Sequence, residues 1–329
     1  MQKKVLISIL NWNGGNETIN CLNSILNSTF QSYSILIIDN ASTDGSVNLI
    51  KQQFPWITVI ENSDNLGFAS AQNQGVQFAL KNGYEYVWIL NNDTIVNSET
   101  LQYLVKALDR NQAIGAVSPV IFESSSSGEE KIQFCGCSVV WDSHYFDLHA
   151  TLDDALASQD ENPDKICLWG TAMFVRTELM ANLGGFDDRL FAYYEDLDFS
   201  IKIIRAGFFN KIIPEATVYH AGLTDPHKRP PHYVYFNTRN RYLFWKKHLS
   251  VSQRINYMRV YLAGALLLAA GWNESGELEK EHATLLGIWD ALRNRGGRWD
   301  PGRRIPKWVP KILFAHPYFL AKVLRGSFL

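Results

Sequence analysis

Residues 5–10 form a short apolar run rich in β-branched side chains that stops at polar Asn11, as a buried strand does. Within 16–28, Ile19, Leu22, Ile25 and Leu26 recur at helical spacing. A second strand is predicted over 34–38, ending at Asp39, and Ser42-Thr43-Asp44 reads as the cap of a helix over 44–53. The rhythm continues with a strand over 56–61, a helix over 68–81 and a strand over 85–90 that runs into Asn91-Asn92-Asp93. A helix over 98–109 and a strand over 114–118 follow. This alternation predicts an α/β domain with a mostly parallel central sheet. Such sheets bind ligands beyond the carboxyl ends of their strands, near a reversal of strand order. Asn11-Trp12-Asn13, Asp39-Asn40 and Asn91-Asn92-Asp93 all fall at such ends.

Beyond this region the pattern changes. Residues 123–130 are a polar loop, and 142–165 is an acidic stretch with no clear period; either is placed to cover an acceptor. After Pro226 the chain becomes aromatic, basic and helical, so a boundary is expected near 225, separating a domain of residues 1–225 from a helical region of 226–329. Charge divides the same way. Residues 1–225 carry 13 Lys and Arg against 27 Asp and Glu, a net of −14, whereas 226–329 carry 18 against 6, a net of +12. An acidic front and a basic back suggest different partners for the two parts.

The four cysteines, Cys21, Cys135, Cys137 and Cys167, are too few and too irregularly spaced for a zinc site. They read as ordinary buried thiols, which suits a reducing cytosol. No secretory signal core precedes Asn11, and the run 263–270 with its flanks falls short of the ~20 apolar residues of a spanning helix. The expected location is the cytoplasm, with the inner face of the cytoplasmic membrane left open by the basic tail.

Several residues offer chemistry. Asp93 sets a carboxylate at a tight turn after a strand; a hard cation needs few protein oxygens when a diphosphate supplies the rest, although a turn or helix cap explains a lone Asp as well. Asp39 and Asp44 are placed to accept hydrogen bonds from a base or ribose, while Asp44 also suits a helix start. Asn65-Leu66-Gly67-Phe68-Ala69 opens a helix that continues through Asn73 and Gly75, and Gly67 lets backbone approach a ligand. Glu195, Asp196 and Asp198 crowd the start of a helix over 194–206, where the dipole favours ionised acids and one carboxylate can serve as general base. His220 ends a short strand; alone it is a structural residue, and beside Asp93 it becomes a metal ligand.

The ordered set 9–13, 38–46, 65–69, 90–93, 170–173 and 184–198 resembles the inverting family 2 glycosyltransferases, which have the GT-A nucleotide-binding fold, and most of all their bacterial rhamnosyltransferase-like branch. The resemblance spans about residues 5–225. It implies that Asn11, Asp39 and Asp44 hold the base and ribose, and that Asn13, Asn65, Gly67, Asn73 and Asn92 belong to the donor site. It implies that Trp169, Gly170 and Thr171 line the donor or acceptor cleft. Asp93 stands where the family's Asp-x-Asp motif ends. Asn91 replaces the first Asp, which leaves Mg2+ or Mn2+ to Asp93, the diphosphate and His220. Asp196 would be the catalytic base, with Glu195 its rival. The reaction implied is transfer of a sugar, rhamnose from dTDP-rhamnose, to a glycan or lipid-linked glycan hydroxyl in bacterial cell-surface polysaccharide synthesis such as O-antigen.

The basic aromatic segments 236–248 and 305–329 suit the surface of an anionic bilayer; docking on the catalytic domain or a homodimer interface explains them equally. Three rival readings have weaker support. A sugar nucleotidyltransferase needs a basic Gly-rich loop after the first strand, and Asn13-Gly14-Gly15-Asn16 has no basic residue. A non-catalytic nucleotide-sugar or carbohydrate-binding module would not need acids at both 93 and 196. No motif for nucleic-acid recognition accompanies the basic half.

Overall fold

The computed structural model describes residues 3–124, 130–221 and 228–306. The chain divides into two compact units, Met1–Asp187 with Glu195–Gly222, and Asp188–Tyr194 with Leu223–Leu329. The boundary expected near 225 lies outside the described residues. That the short segment Asp188–Tyr194 groups with the C-terminal part was not foreseen.

In the first unit, β1 (Val5–Asn11), α1 (Gly15–Leu26), β2 (Tyr33–Asp39), α2 (Ser46–Gln53), β3 (Thr58–Glu61), α3 (Gly67–Lys81) and β4 (Tyr86–Asn91) alternate as expected. β1 pairs in parallel with both β2 and β4, and β2 with β3. Val5, Leu6, Ile7 and Ile9 in β1, and Val87 to Leu90 in β4, are sealed from solvent, as parallel strands covered on both faces must be. The chain steps outward from β1 to β3, then returns to the other side of β1 for β4. That reversal opens a crevice at the carboxyl ends of β1 and β4. Asn11 stands opposite Asp39, and Leu10 opposite Asn91.

The remainder comprises β5 (Thr94–Val96), α4 (Thr100–Arg110), β6 (Ile114–Glu123), β7 (Ile132–Phe134), β8 (Cys137–Val140), β9 (Tyr145–Leu148), α5 (Leu152–Glu161), β10 (Ile166–Cys167), β11 (Ala172–Arg176), α6 (Thr177–Asn182), α7 (Glu195–Arg205) and β12 (Phe209–His220). The large sheet runs β3-β2-β1-β4-β11-β6-β12-β5, with β7 paired to β6. β11 is antiparallel to both its neighbours, β6 and β12 are parallel, and β5 returns antiparallel to β12. A separate small sheet has the order β10-β8-β9.

Two local expectations are corrected. α2 begins at Ser46 rather than 44, because Gly45 at φ 82° takes the capping position and the Asp44 carboxylate instead accepts the Ser46 N–H at 3.0 Å. The acidic stretch 142–165 contains β9 and α5. Only Ala155 and Gln159 of α5 are buried, so the helix leaves no apolar stripe to read; Thr151 caps it, accepting from the Asp154 N–H at 3.1 Å. The four cysteines are free and buried, and burial pushes the Cys21 thiol up to about 12, so none is an activated nucleophile.

The second unit is built on α8 (Pro231–His248), α9 (Val251–Glu274) and α10 (Leu278–Leu292). Ser250 and Gln253 form a reciprocal cap at the start of α9. Tyr235, Phe244, Trp245 and Tyr257 fill the interior, and Arg239 and Asn240 are fully buried among them. Among the described residues, no helix is long and apolar enough to cross a membrane. Of the basic aromatic segment 305–329, residues 307–329 lie outside the described residues.

Candidate active site

The ends of β1 and β2 form a closed polar corner. Asn11 is 0% exposed, and its Nδ2 lies 2.7 Å from Asp39 Oδ1, 2.9 Å from Ser46 Oγ and 3.1 Å from Ser42 Oγ. Thr18 donates to Asn11 Oδ1 at 2.9 Å. Asp39 also accepts from the Ser42 N–H at 2.9 Å and the Ser42 hydroxyl at 2.6 Å. Asn13, at φ 52°, receives the Thr43 N–H at 2.8 Å. Asn11 is thus the hub of the corner and, like Asp39 at 2% exposed, shows almost no surface to a ligand, whereas Asn13 and Asp44 are exposed. Hydrogen bonds from Ser46 hold the Asp44 carboxyl below its ordinary range. Asn92 joins the same corner, donating to Thr18 Oγ1 at 3.0 Å and to the Gly14 carbonyl at 3.3 Å.

The start of α3 docks on this corner through a residue that the sequence placed at a strand end without assigning it a role. Asn40, buried at the end of β2, donates to Asn65 Oδ1 and to the Gly67 carbonyl, each at 3.1 Å. Gly67 adopts φ 80°, a conformation that favours glycine. Asn73 points elsewhere: its amide exchanges two hydrogen bonds with the Phe186 backbone, at 2.9 and 3.0 Å, and so holds the Gly185-Phe186 turn. Trp12, placed by the sequence at a ligand-binding strand end but given no role there, is 54% exposed directly after β1. The signal was present in the sequence, since a large aromatic at the mouth of a ligand-binding strand end has no core to fill.

Asp93 and His220, far apart in the chain, meet where β5 pairs with the end of β12. Asp93 Oδ1 lies 3.1 Å from His220 Nε2. Burial alone would raise the Asp93 pKa, but the hydrogen bond and charge of His220 outweigh it, and the net shift is downward. On its other side His220 Nδ1 is 2.7 Å from Gln133 Oε1 on β7. Gln133 Oε1 can only accept, so Nδ1 carries a proton; Nε2 either donates to the Asp93 carboxylate from a charged ring or, in the neutral ring, offers a lone pair that would share a cation with it. Two neighbouring ligands of an octahedral ion at about 2.1 Å are about 3 Å apart, so the pair fits Mg2+ or Mn2+. No group of three such side chains occurs among the described residues, so a cation here draws its other ligands from elsewhere.

Glu195 and Asp196 open α7 in different states. Glu195 is 4% exposed, and its Oε2 finds no hydrogen-bond partner among the described residues. Burial, followed by the charges of Asp196 and Asp198, pushes its carboxyl well above the ordinary range. Burial also raises Asp196, but its ionised form accepts the Gly170 N–H and the Leu197 N–H, both at 2.8 Å. Of the two, Glu195 is the more strongly driven toward its neutral form, whereas two N–H donors stabilise the ionised form of Asp196.

Gly170 and Thr171 link the two acidic centres. Gly170 donates to Asp196, and the next carbonyl, Thr171 O, accepts the Asn91 N–H at 2.9 Å. Asn91 Nδ2 in turn lies 3.4 Å from His220 Nε2. A side chain at residue 170 would come within 3.1 Å of the Phe68 ring, so only glycine fits comfortably. Trp169 stacks on Phe134 at 4.1 Å and 11°, next to the Gln133 that orients His220. Asp93 and Asp196 are thereby held to one strap of backbone.

The curled, mostly parallel sheet with polar groups at the ends of β1, β2 and β4 is a GT-A fold. The family model for glycosyl transferase family 2 matches residues 6–181, and the chain belongs to that family. It is 24% identical over 238 residues to the N-acetylglucosaminyl-diphospho-decaprenol L-rhamnosyltransferase of Mycobacterium tuberculosis, covering 68% of this chain and 78% of that one. It is 23% identical over 313 residues to the dTDP-rhamnosyl transferase RfbF of Shigella flexneri, covering 91% of this chain and 100% of that one. Among solved structures, the mannosyltransferase PcManGT of Pyrobaculum calidifontis, in complex with GDP-Man and Mn2+, has a TM-score of 0.56 at 17% identity, covering 89% of this chain and 88% of that one. S. aureus TarS has a TM-score of 0.57 at 16% identity; the match covers 99% of this chain and 53% of that longer one.

Proposed function

We propose that this glycosyltransferase moves rhamnose from dTDP-rhamnose onto a hydroxyl of a glycan or lipid-linked glycan, with inversion at the anomeric carbon. The meeting of Asp93 and His220 at 3.1 Å, strapped to Asp196 through Gly170 and Thr171, carries the reading. The rhamnosyl relatives support the choice of sugar and donor. In this reading Asp44 takes the nucleoside, Trp12 offers the base a stacking face, and Asn11 with the buried Asp39 keeps the corner rigid. Asp93 and His220 hold Mg2+ or Mn2+, which would supply charge stabilisation for the departing diphosphate. Asp196 removes the acceptor proton as the hydroxyl attacks from the face opposite the nucleotide, giving a single displacement. Glu195, buried and driven toward its neutral form, leaves the role of base to Asp196, while Asp198 is paired with Lys202.

The same reading places the enzyme at the inner face of the cytoplasmic membrane, where a lipid-linked acceptor is displayed and the basic C-terminal region meets anionic headgroups. Liposome co-sedimentation unaffected by deletion of 305–329 would remove that part alone. The donor assignment is tested by thermal shift against a panel of nucleotide sugars with Mn2+. A bound donor at about 100 times its Kd adds about 2.7 kcal/mol of stability, so dTDP-rhamnose should raise Tm most. No shift with any nucleotide sugar would overturn the reading.

A further inference from the structure

Three of the four residues leading into the acids adopt left-handed backbone angles: Phe191 at φ 66°, Tyr193 at φ 69° and Tyr194 at φ 74°. Bulky aromatic residues hold such angles only where the surroundings over-determine them. The surroundings here are supplied by α8. Asn240 Nδ2 lies 2.8 Å from the carbonyl oxygens of Leu190, Ala192 and Tyr193. Its Oδ1 accepts from Arg239 Nε at 2.8 Å, and Arg239 Nη2 donates to the Leu190 carbonyl at 2.9 Å. Both side chains are fully buried. The three strained rings are pinned to the same helix, Phe191 on Phe236 at 5.3 Å, Tyr193 on Tyr233 at 4.9 Å and Tyr194 on Phe244 at 5.8 Å.

We propose that Asn240, backed by Arg239, is a positioning residue for the transfer reaction: it fixes the left-handed segment 191–194, whose next peptide bond delivers Glu195 and Asp196. The proposal rests on the reading of Asp196 as the base. Tyr194 is bonded directly to Glu195, so a relaxed segment would let the first turn of α7 move, and with it the carboxylate that must meet the acceptor hydroxyl. An amide suits the task because one end donates to crowded carbonyls while the other accepts from Arg239. An aspartate of the same shape would turn lone pairs toward three carbonyl oxygens.

The test uses the full chain with Asn240→Asp, which keeps the shape and removes the donor, and Asn240→Ser, which keeps one donor. A misplacement near 1 Å costs on the order of a hundredfold in rate, so kcat for Asn240→Asp should fall by about that much, with Asn240→Ser between it and wild type. Donor Kd should stay unchanged, and amide exchange at 191–195 should accelerate. If Asn240→Asp does not fold, Asn240→Ser carries the same three readouts. A folded variant with kcat within about threefold of wild type, or with unchanged exchange at 191–195, overturns the proposal. Asp196→Asn measured in parallel separates the two claims: normal turnover there removes the base assignment, whereas the exchange at 191–195 still decides the role of Asn240.

Discussion

The end of β2 and the start of α7 both present carboxylates, and the two are held in opposite ways. Asp39 lies in a closed network in which Asn11, Ser42 and a backbone N–H meet its oxygens, although its turn also holds left-handed residues, Ala41 at φ 62° and Asn13 at φ 52°. Glu195 is buried with an oxygen that has no partner among the described residues, burial raises the proton affinity of Asp196, and the approach to both runs through left-handed aromatics. A satisfied network suits a surface that must only receive a nucleoside, because it needs no reorganisation on binding. A buried acid with an unmet oxygen beside a second acid of raised proton affinity, on a left-handed approach, suits a site that must take a proton.

The comparison can be broken most sharply at Asp196. Asp196→Asn is expected to lose about 10²–10⁴-fold in turnover, measured under saturating donor and acceptor, while donor affinity stays at the wild-type value. At the other region, Asn11→Leu should leave turnover per folded molecule largely intact but cost about 1–3 kcal/mol in urea unfolding, because Asp39 and Thr18 lose their shared partner inside the protein. An unchanged unfolding midpoint would show that the corner is not the rigid element described.

Glu195→Gln should have the smallest kinetic effect, within about threefold in kcat, since an amide mimics the neutral carboxyl. Its signature lies in stability. The Glu195 carboxyl is held well above its ordinary 4.5, so its contribution is complete at lower pH and is lost as pH rises through the raised folded value. The Gln variant lacks this loss, and a Tm series from pH 4.5 upward should fall less steeply than wild type. Parallel curves would contradict the assignment of the proton to Glu195.

Much of the candidate site was legible because apolar runs broke at polar residues: Asn11, Asp39 and Asn91 each close a strand, and the crowd of acids near 196 stood out against its aromatic neighbours. The partners that give these residues their states were not legible. Gln133 reaches His220 from a strand on the other side of β6, and Asn240 reaches 190–193 from a helix roughly fifty residues onward. Neither contact leaves a local period or spacing to read. α5 escaped for the opposite reason, being a helix almost without a buried face.

The claim on which the account depends is that Asp93 and His220 hold a divalent cation for the donor diphosphate. Calorimetric titration of dTDP-rhamnose, with Mn2+ and then with excess EDTA, tests it in the wild type and in Asp93→Asn. Binding should depend strongly on Mn2+ in the wild type and lose that dependence in the variant. Equal donor binding in EDTA, or a metal dependence that survives in Asp93→Asn, would contradict the account.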